Sequence, residues 1–272
     1  MILMDLHVHP TPWQNGGQGY RTCVESAIQN QVSILGFAEH GPACHPHPKY
    51  RGLEPAEIEP YLLEVQKLKE EYRDQIQIFC GLELDYMPAK LDYYLKLKRG
   101  YPFDYFLASV HLIDDWHVDD PDSLPKSKHR NADPPTLYWL YYQQVMAAAD
   151  TGLFHALAHL DYLRRSLPHP PAHPPGFARD LFAEVASEIA ASGIAVEINT
   201  RGMFIPSSAE FHPTVPFLQQ LIRAGVQFTL GSDAHEASRV GDALPWARSL
   251  LRDLGVEDLC YFRNGETLRV EI

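Results

Sequence analysis

Two histidines one residue apart, His7 and His9, open a series of side chains suited to holding metal ions. Glu39 and His40 follow, then Glu83 and Asp85, His111, His159 and Asp161, Glu197 and Asn199, and finally Asp233 and His235. Each group closes a short apolar run that reads as a strand. Alone, any one of them is weak evidence, because a histidine at a strand end is more often a hydrogen-bonded core residue. Seven such coincidences point jointly to a metal centre. Imidazoles mixed with carboxylates suit Zn, Fe or Mn better than Ca or Mg. The donors outnumber what one tetrahedral ion can use, so two or three divalent transition-metal ions are expected. Paired ions of this kind favour hydrolysis of phosphate esters or amides.

The elements that must gather these groups are legible as alternation. Candidate strands run over Ile2–His9, Ser33–His40, Gln75–Asp85, Phe103–His111, Leu153–Asp161, Ile194–Asn199 and Val226–Asp233. A last short run, Leu268–Ile272, is expected to close or cap the sheet. Helical spacing marks Pro55–Arg73, Pro88–Lys98, Pro134–Asp150, Phe177–Ala191, Thr214–Ala224 and Leu244–Leu254. Gly152, Gly193, Gly225 and Gly255 follow helices, as C-terminal glycines do. Seven strand–helix alternations imply a parallel sheet, and a barrel would bring all the C-terminal strand ends to one rim. In a strand, residues i and i+2 share a side, so His7 and His9 point together with Asp5 behind them. The expected fold is an α/β, distorted (βα)7 barrel, a single domain over residues 1–272. His45, His47, His169 and His173 lie in proline-rich stretches and read as loop residues.

Composition narrows the partners. Hydrophobic residues make up 45% of the 272, enough for a sizeable core, and the formal net charge is −12. Such a charge repels nucleic-acid phosphates and anionic membranes, so neither is expected as a partner. A small phosphate ester remains possible, because bound metal dominates the local field. Cys23, Cys44, Cys80 and Cys260 show no CxxC pairing and read as reduced thiols of a cytoplasmic protein. No apolar run reaches the ~18 residues a membrane span needs.

The runs Asp5-Leu6-His7-Val8-His9, Glu39-His40, Gly81-Leu82-Glu83, Ser109-Val110-His111, His159-Leu160-Asp161, Glu197-Ile198-Asn199 and Ser232-Asp233-Ala234-His235, in that order, resemble the PHP (polymerase and histidinol phosphatase) superfamily. Within it, the chain looks most like the monofunctional histidinol-phosphatase branch. The resemblance implies a trinuclear site. His7, His9, Glu83 and Asp233 would hold one ion, Glu83 would bridge to a second held by His111 and His159, and His40 with His235 would hold a third. The family commonly supplies one more histidine where this chain has Asn15, which leaves the third position with a weaker donor; Gln14, His45 and His47 are the nearby substitutes. Arg164 and Arg201 match the phosphatase branch as bidentate phosphate contacts, and Arg165 reads as a bystander.

The implied reaction is hydrolysis of L-histidinol phosphate to L-histidinol and phosphate in histidine biosynthesis. A metal-bridging hydroxide would attack phosphorus in line, with Glu83, Asp233 and His235 as the catalytic set. Asp5, Asp161 and Glu197 are candidates to orient imidazoles. Asp85, Asp115 and Asp119 are candidates for the cationic end of the substrate. Rival readings are a PHP-type phosphoesterase acting on another small phosphate ester, a nuclease of the same superfamily, an amidohydrolase-like barrel, and a barrel whose metal site has decayed. Seven strands, Glu83 and the Ser-Asp-Ala-His run favour the phosphatase over the amidohydrolase-like barrel, the charge of −12 argues against the nuclease, and the nearly intact ligand set argues against decay.

Overall fold

The computed structural model describes residues 2–10, 19–42, 51–165, 167, 176–205 and 209–272. The expectations for Gln14, Asn15, Cys44, His45, His47, His169 and His173 lie outside these residues.

Seven parallel strands form one sheet: β1 (Met4–Val8), β2 (Ile34–His40), β3 (Gln77–Asp85), β4 (Tyr105–Ser109), β7 (Ala156–Leu157), β8 (Ala195–Asn199) and β9 (Phe228–Gly231), in that spatial order. The first and last strands meet through a bridge between Val8 and Ala234, where the His9 N–H donates to the Ala234 carbonyl at 2.8 Å. The result is a nearly closed, distorted barrel. A small antiparallel hairpin, β5 (Leu112–Ile113) with β6 (Trp116–His117), follows β4.

Helices α1 (Gly19–Gln29), α2 (Ile58–Glu71), α3 (Leu91–Gly100), α4 (Pro134–Asp150), α5 (Gly176–Ser192), α6 (Val215–Arg223) and α7 (Leu244–Asp253) intervene between strands or follow the last of them. The expected helices sit close to their predicted bounds, because their apolar stripes meet the sheet. In α6, Phe217, Leu218 and Leu221 are buried, and in α7, Leu244, Ala247 and Leu251. Asp133 starts α4 by accepting the Thr136 N–H at 2.9 Å, with Pro134 in the first turn.

Tyr105 fills the barrel interior. Its hydroxyl donates to the carbonyls of Leu6 (2.7 Å) and Phe37 (3.1 Å) on two other strands. Gly81 leaves room for the ring; a Cβ there would meet Tyr105 carbons at 2.5–2.7 Å. Below, Phe262 packs on Tyr105 with ring centroids 5.9 Å apart. Phe262 belongs to an antiparallel hairpin, β10 (Asp258–Arg263) with β11 (Glu266–Glu271). The last run therefore caps the barrel floor as a separate hairpin. Asp104 fastens it by accepting the Asn264 N–H at 3.1 Å, the Cys80 N–H at 2.8 Å and Lys69 Nζ at 2.7 Å.

Two expectations need correction. Residues 19–29 form α1, a helix the strand-to-strand reading passed over, with Tyr20, Cys23, Val24 and Ala27 buried at helical spacing. The expected nine-residue strand over Leu153–Asp161 is paired as a strand only at Ala156–Leu157. Beyond it His159 and Asp161 adopt positive φ, 24° and 60°, which ends ladder pairing.

Cys23, Cys80 and Cys260 are free and buried, and burial pushes each thiol up to about 12. Since the thiolate is the nucleophile, native protein treated with iodoacetamide near pH ~8 should leave these three unmodified by mass spectrometry. The unfolded chain should be labelled at all three. Rapid native labelling of Cys80 would contradict this packing.

Candidate metal centre

The site lies where the strands end. Register pairs His40 with Glu83, and Glu83 with Leu107 on β4, so neighbouring strands stop at matched heights. His111, His159 and Asp233 come from the segments immediately after β4, β7 and β9. Glu83 is the hub. One oxygen lies 2.9 Å from His40 Nδ1 and 3.4 Å from both His7 Nε2 and His9 Nε2. The other lies 2.9 Å from His159 Nε2 and 3.7 Å from His111 Nε2, and Ser109 Oγ donates to it. Asp233 Oδ1 lies 3.5 Å from His9 Nε2, 4.0 Å from His7 Nε2 and 3.5 Å from His235 Nδ1.

All eight expected ligands thus converge. They fall into three adjacent groups whose donor atoms lie within 4.8 Å of one another: His7, His9 and Asp233; Glu83, His111 and His159; and His9, His40 and His235. The implied trinuclear grouping assigned His40 and His235 to one ion without His9; the geometry adds His9 to them.

The donor chemistry fits cations. His7 and His9 are sealed at 0–1% exposure, whereas His40, His111 and His235 edge toward solvent. Both ring nitrogens of His9, together with His7 Nε2 and His159 Nδ1, are buried without a hydrogen bond among the described residues. Buried polar atoms are nearly always satisfied, and each orphan costs roughly 1–3 kcal/mol. Of these, His7 Nε2 and His9 Nε2 face the Glu83 and Asp233 carboxylates across a dry space, an arrangement whose cost a metal ion repays. His7, His9 and His159 are fixed by the fold around them. Gly231 is part of that fit, because a Cβ there would meet His7 Cβ at 2.5 Å.

Burial works to raise the pKa of Glu83, but charge on His40 and His7 and hydrogen bonds from His159 and His40 hold it well below the usual range. Asp233 is likewise held low against burial, first by Arg201 and then by His7. Burial pushes His9 down to about 3, helped by His40. His111 rises to about 9 despite burial, because Asp85 sits beside it.

The carboxylates that orient the imidazoles differ partly from those expected. Glu197 Oε1 lies 2.6 Å from His7 Nδ1, and its other oxygen accepts the His159 N–H at 2.8 Å. Asp85, expected near a substrate cation, instead orients His111 at 2.6 Å. Its place two residues after Glu83 puts it on the same side of β3, a signal the sequence contained. Asp5 grips backbone: it accepts from Ser232 N (2.8 Å), Ser232 Oγ (2.6 Å) and Gly241 N (2.9 Å), clasping first strand to last. Asp161 pairs with His212, which the sequence reading did not single out. Asp115 accepts the Lys128 N–H, and Asp119 lies close enough to His111 to raise its pKa.

Arg201 reaches the cluster: Nη1 donates to Asp233 Oδ1 at 3.0 Å and approaches His235 Nδ1 at 2.8 Å. A cavity of about 300 Å³ opens beside it, lined by Arg165, Arg201, Phe204, Asp233, His235 and Glu236 among others. Arg164 faces away. It is 6% exposed, and its Nη2 pairs with Glu210 at 3.1 Å. In the 3-10 turn Tyr162–Arg165 the two neighbours point differently, and Arg165 is the one that meets the cavity.

The PHP domain model matches residues 5–201. The chain belongs to the PHP family. Asp233 and His235 lie beyond that matched span, and barrel closure returns them to it. The PHP chain is 30% identical over 255 residues to the "Probable histidinol-phosphatase" of Deinococcus radiodurans, covering 93% of this chain and 94% of that one. It is 28% identical over 268 residues to the histidinol-phosphatase of Lactococcus lactis, covering 96% and 95%. The crystal structure of a Lactococcus lactis histidinol phosphate phosphatase with zinc, L-histidinol and phosphate superposes with a TM-score of 0.80 at 25% identity, covering 98% of each chain.

In the metal-free protein His7, His40 and His111 hold protons more tightly than a free imidazole, each because neighbouring carboxylates outweigh burial. A cation must displace those protons, so binding is linked to pH. Zinc titrated into chelator-stripped protein should bind more tightly as pH rises from about 6 to 9, by roughly tenfold per pH unit for each proton displaced. Calorimetry in buffers of different ionisation enthalpy should register proton release. Affinity independent of pH would count against these residues as the ligands.

Proposed function

We infer that this chain hydrolyses L-histidinol phosphate to L-histidinol and phosphate, a step of histidine biosynthesis, using two or three divalent transition-metal ions such as zinc. The observation that carries the reading is the guanidinium-lined cavity beside three contiguous ligand groups, in a chain whose PHP relatives are histidinol-phosphatases over nearly their full length.

Eight residues would hold the ions: His7, His9, His40, Glu83, His111, His159, Asp233 and His235. Bound there, the metals supply Lewis-acid charge and make a nucleophile from water near neutral pH. The protein's own groups then do separable things. Glu83 and Asp233, kept ionised by their surroundings, offer negative charge to the cations. Glu197 and Asp85 fix the rings of His7 and His111, so that one nitrogen of each faces inward. Arg201 touches both Asp233 and the cavity, so it can bridge the ligand shell and a phosphate oxygen. Arg165, rather than the expected Arg164, is the second guanidinium we assign to phosphate, because it is the one in the cavity wall. Two such donors would stabilise charge on the equatorial oxygens. His235 is held neutral by burial and then by Arg201. It sits with Glu83 and Asp233 in the set we propose around phosphorus.

A net charge of −12 supports a small substrate over nucleic acid. No helix among the described residues is long and apolar enough to cross a membrane. Three unpaired thiols support a cytoplasmic location.

Charge-assisted hydrogen bonds are worth about 1.5–3 kcal/mol. Arg201→Ala and Arg165→Ala should therefore each lower kcat/KM for L-histidinol phosphate by roughly 10- to 100-fold, measured as phosphate release from zinc-loaded enzyme. Unchanged kcat/KM in both variants would remove the phosphate-contact assignment.

A further inference from the structure

Asp161 and His212 are both 0% exposed, yet neither belongs to a ligand group. Asp161 Oδ1 lies 2.8 Å from His212 Nδ1, and Oδ2 accepts the Thr214 N–H at 2.8 Å. His212 in turn exchanges both backbone hydrogen bonds with Asn199, at 3.0 and 2.8 Å. Asp161 opens the 3-10 turn Tyr162–Arg165, and Asn199 precedes the 3-10 turn Arg201–Phe204. Gly202 rests on the His212 ring so closely that a Cβ would meet Cδ2 at 2.8 Å and Nε2 at 2.9 Å. Glu210, from the same segment as His212, holds Arg164 in the first turn at 3.1 Å. Tyr162 fills the space between, with its ring 4.1 Å from that of His159 and 5.4 Å from that of His212.

We propose that the buried Asp161–His212 pair is a positioning device that sets the spacing of the two arginine-bearing turns, so that Arg165 and Arg201 meet one phosphate together. The proposal rests on the phosphate reading of those arginines. The two turns leave adjacent strands, β7 and β8, and are single short 3-10 turns with little hydrogen bonding of their own. What locks them is the segment Glu210–Thr214 wedged between. A carboxylate taking two directed N–H bonds in a dry interior defines a position sharply, because either bond unmade leaves a costly orphan. Asp161 also holds a left-handed backbone, φ 60°, which costs a non-glycine residue about 1–2 kcal/mol and needs such over-determination. Two-point capture of phosphate is sensitive to shifts of about 1 Å. Loosening the pair should therefore weaken phosphate capture without removing ligands to metal.

The test compares Asp161→Asn, His212→Ala and His212→Asn in zinc-loaded enzyme. Asp161→Asn keeps the shape but turns an NH2 toward one of the two donors. His212→Asn keeps a donor near the Nδ1 position. The readouts are KM and kcat for L-histidinol phosphate, the inhibition constant of inorganic phosphate, and zinc per chain. Asp161→Asn and His212→Ala should raise KM and the phosphate inhibition constant together by about tenfold, with kcat within about threefold and zinc unchanged. His212→Asn should recover most of the loss. If His212→Ala does not fold, the isosteric Asp161→Asn decides. Should the wild type not turn over L-histidinol phosphate, calorimetry with inorganic phosphate on the same proteins still reads the pair. Phosphate affinity within about twofold of wild type in Asp161→Asn, or a loss that follows zinc content, overturns the proposal.

Discussion

A carboxylate surrounded by five imidazoles in a nearly dry pocket is the constraint around which this molecule is built. Glu83 lies within 3.7 Å of His7, His9, His40, His111 and His159. In an empty pocket this arrangement is poor: several ring nitrogens have no partner, and like charges must be managed by shifting protons. Filled with cations, the same groups become mutually supportive. The barrel makes the pocket possible. Parallel strands send every C-terminal end to one rim, Tyr105 and Phe262 close the interior beneath, and Asp5 ties the last strand to the first just below His7.

Burial is graded across the site. His7 and His9 are sealed, while His40, His111, His235 and Arg201 border solvent. Among the described residues the cavity opens on that side, and on the proposed reading a phosphate entering there would meet Arg165 and Arg201 first. The turns that carry these arginines have weak local structure, so their precision has to come from tertiary contacts. That is the place of the buried Asp161–His212 pair, which sits between the two turns.

Much of this was legible in the chain, and the limits have physical causes. The ligands could be found because strand ends and donor residues coincide at His7, His9, His40, Glu83, His111, His159 and Asp233, and a parallel barrel leaves them one place to meet. Helix α1 carried a signal that went unread: Tyr20, Cys23, Val24 and Ala27, its buried face, recur at helical spacing. The strand before His159 looked long because Leu, Ala and Phe suit a buried strand. Backbone turning at His159 and Asp161 is imposed by the site, and periodicity cannot report it. Which of Arg164 and Arg165 faces the cavity is a matter of one step, about 120°, around a 3-10 turn, below what spacing resolves. Likewise, Asp161 and Glu197 read alike in sequence, as carboxylates at the ends of expected strands. Only the fold shows that one orients His7 and the other holds His212. Asp85 carried a signal, two residues past Glu83, whose meaning depended on His111 lying across the strand pair.

The central claim is that these eight side chains hold metal together. Anomalous diffraction from crystals of the zinc-loaded protein, recorded on both sides of the zinc edge, tests it most directly. The account predicts two or three peaks within a few ångströms of one another, each in contact with one of the three ligand groups and with Glu83 at their centre. Anomalous peaks confined to surface histidines, with none near Glu83, would contradict it.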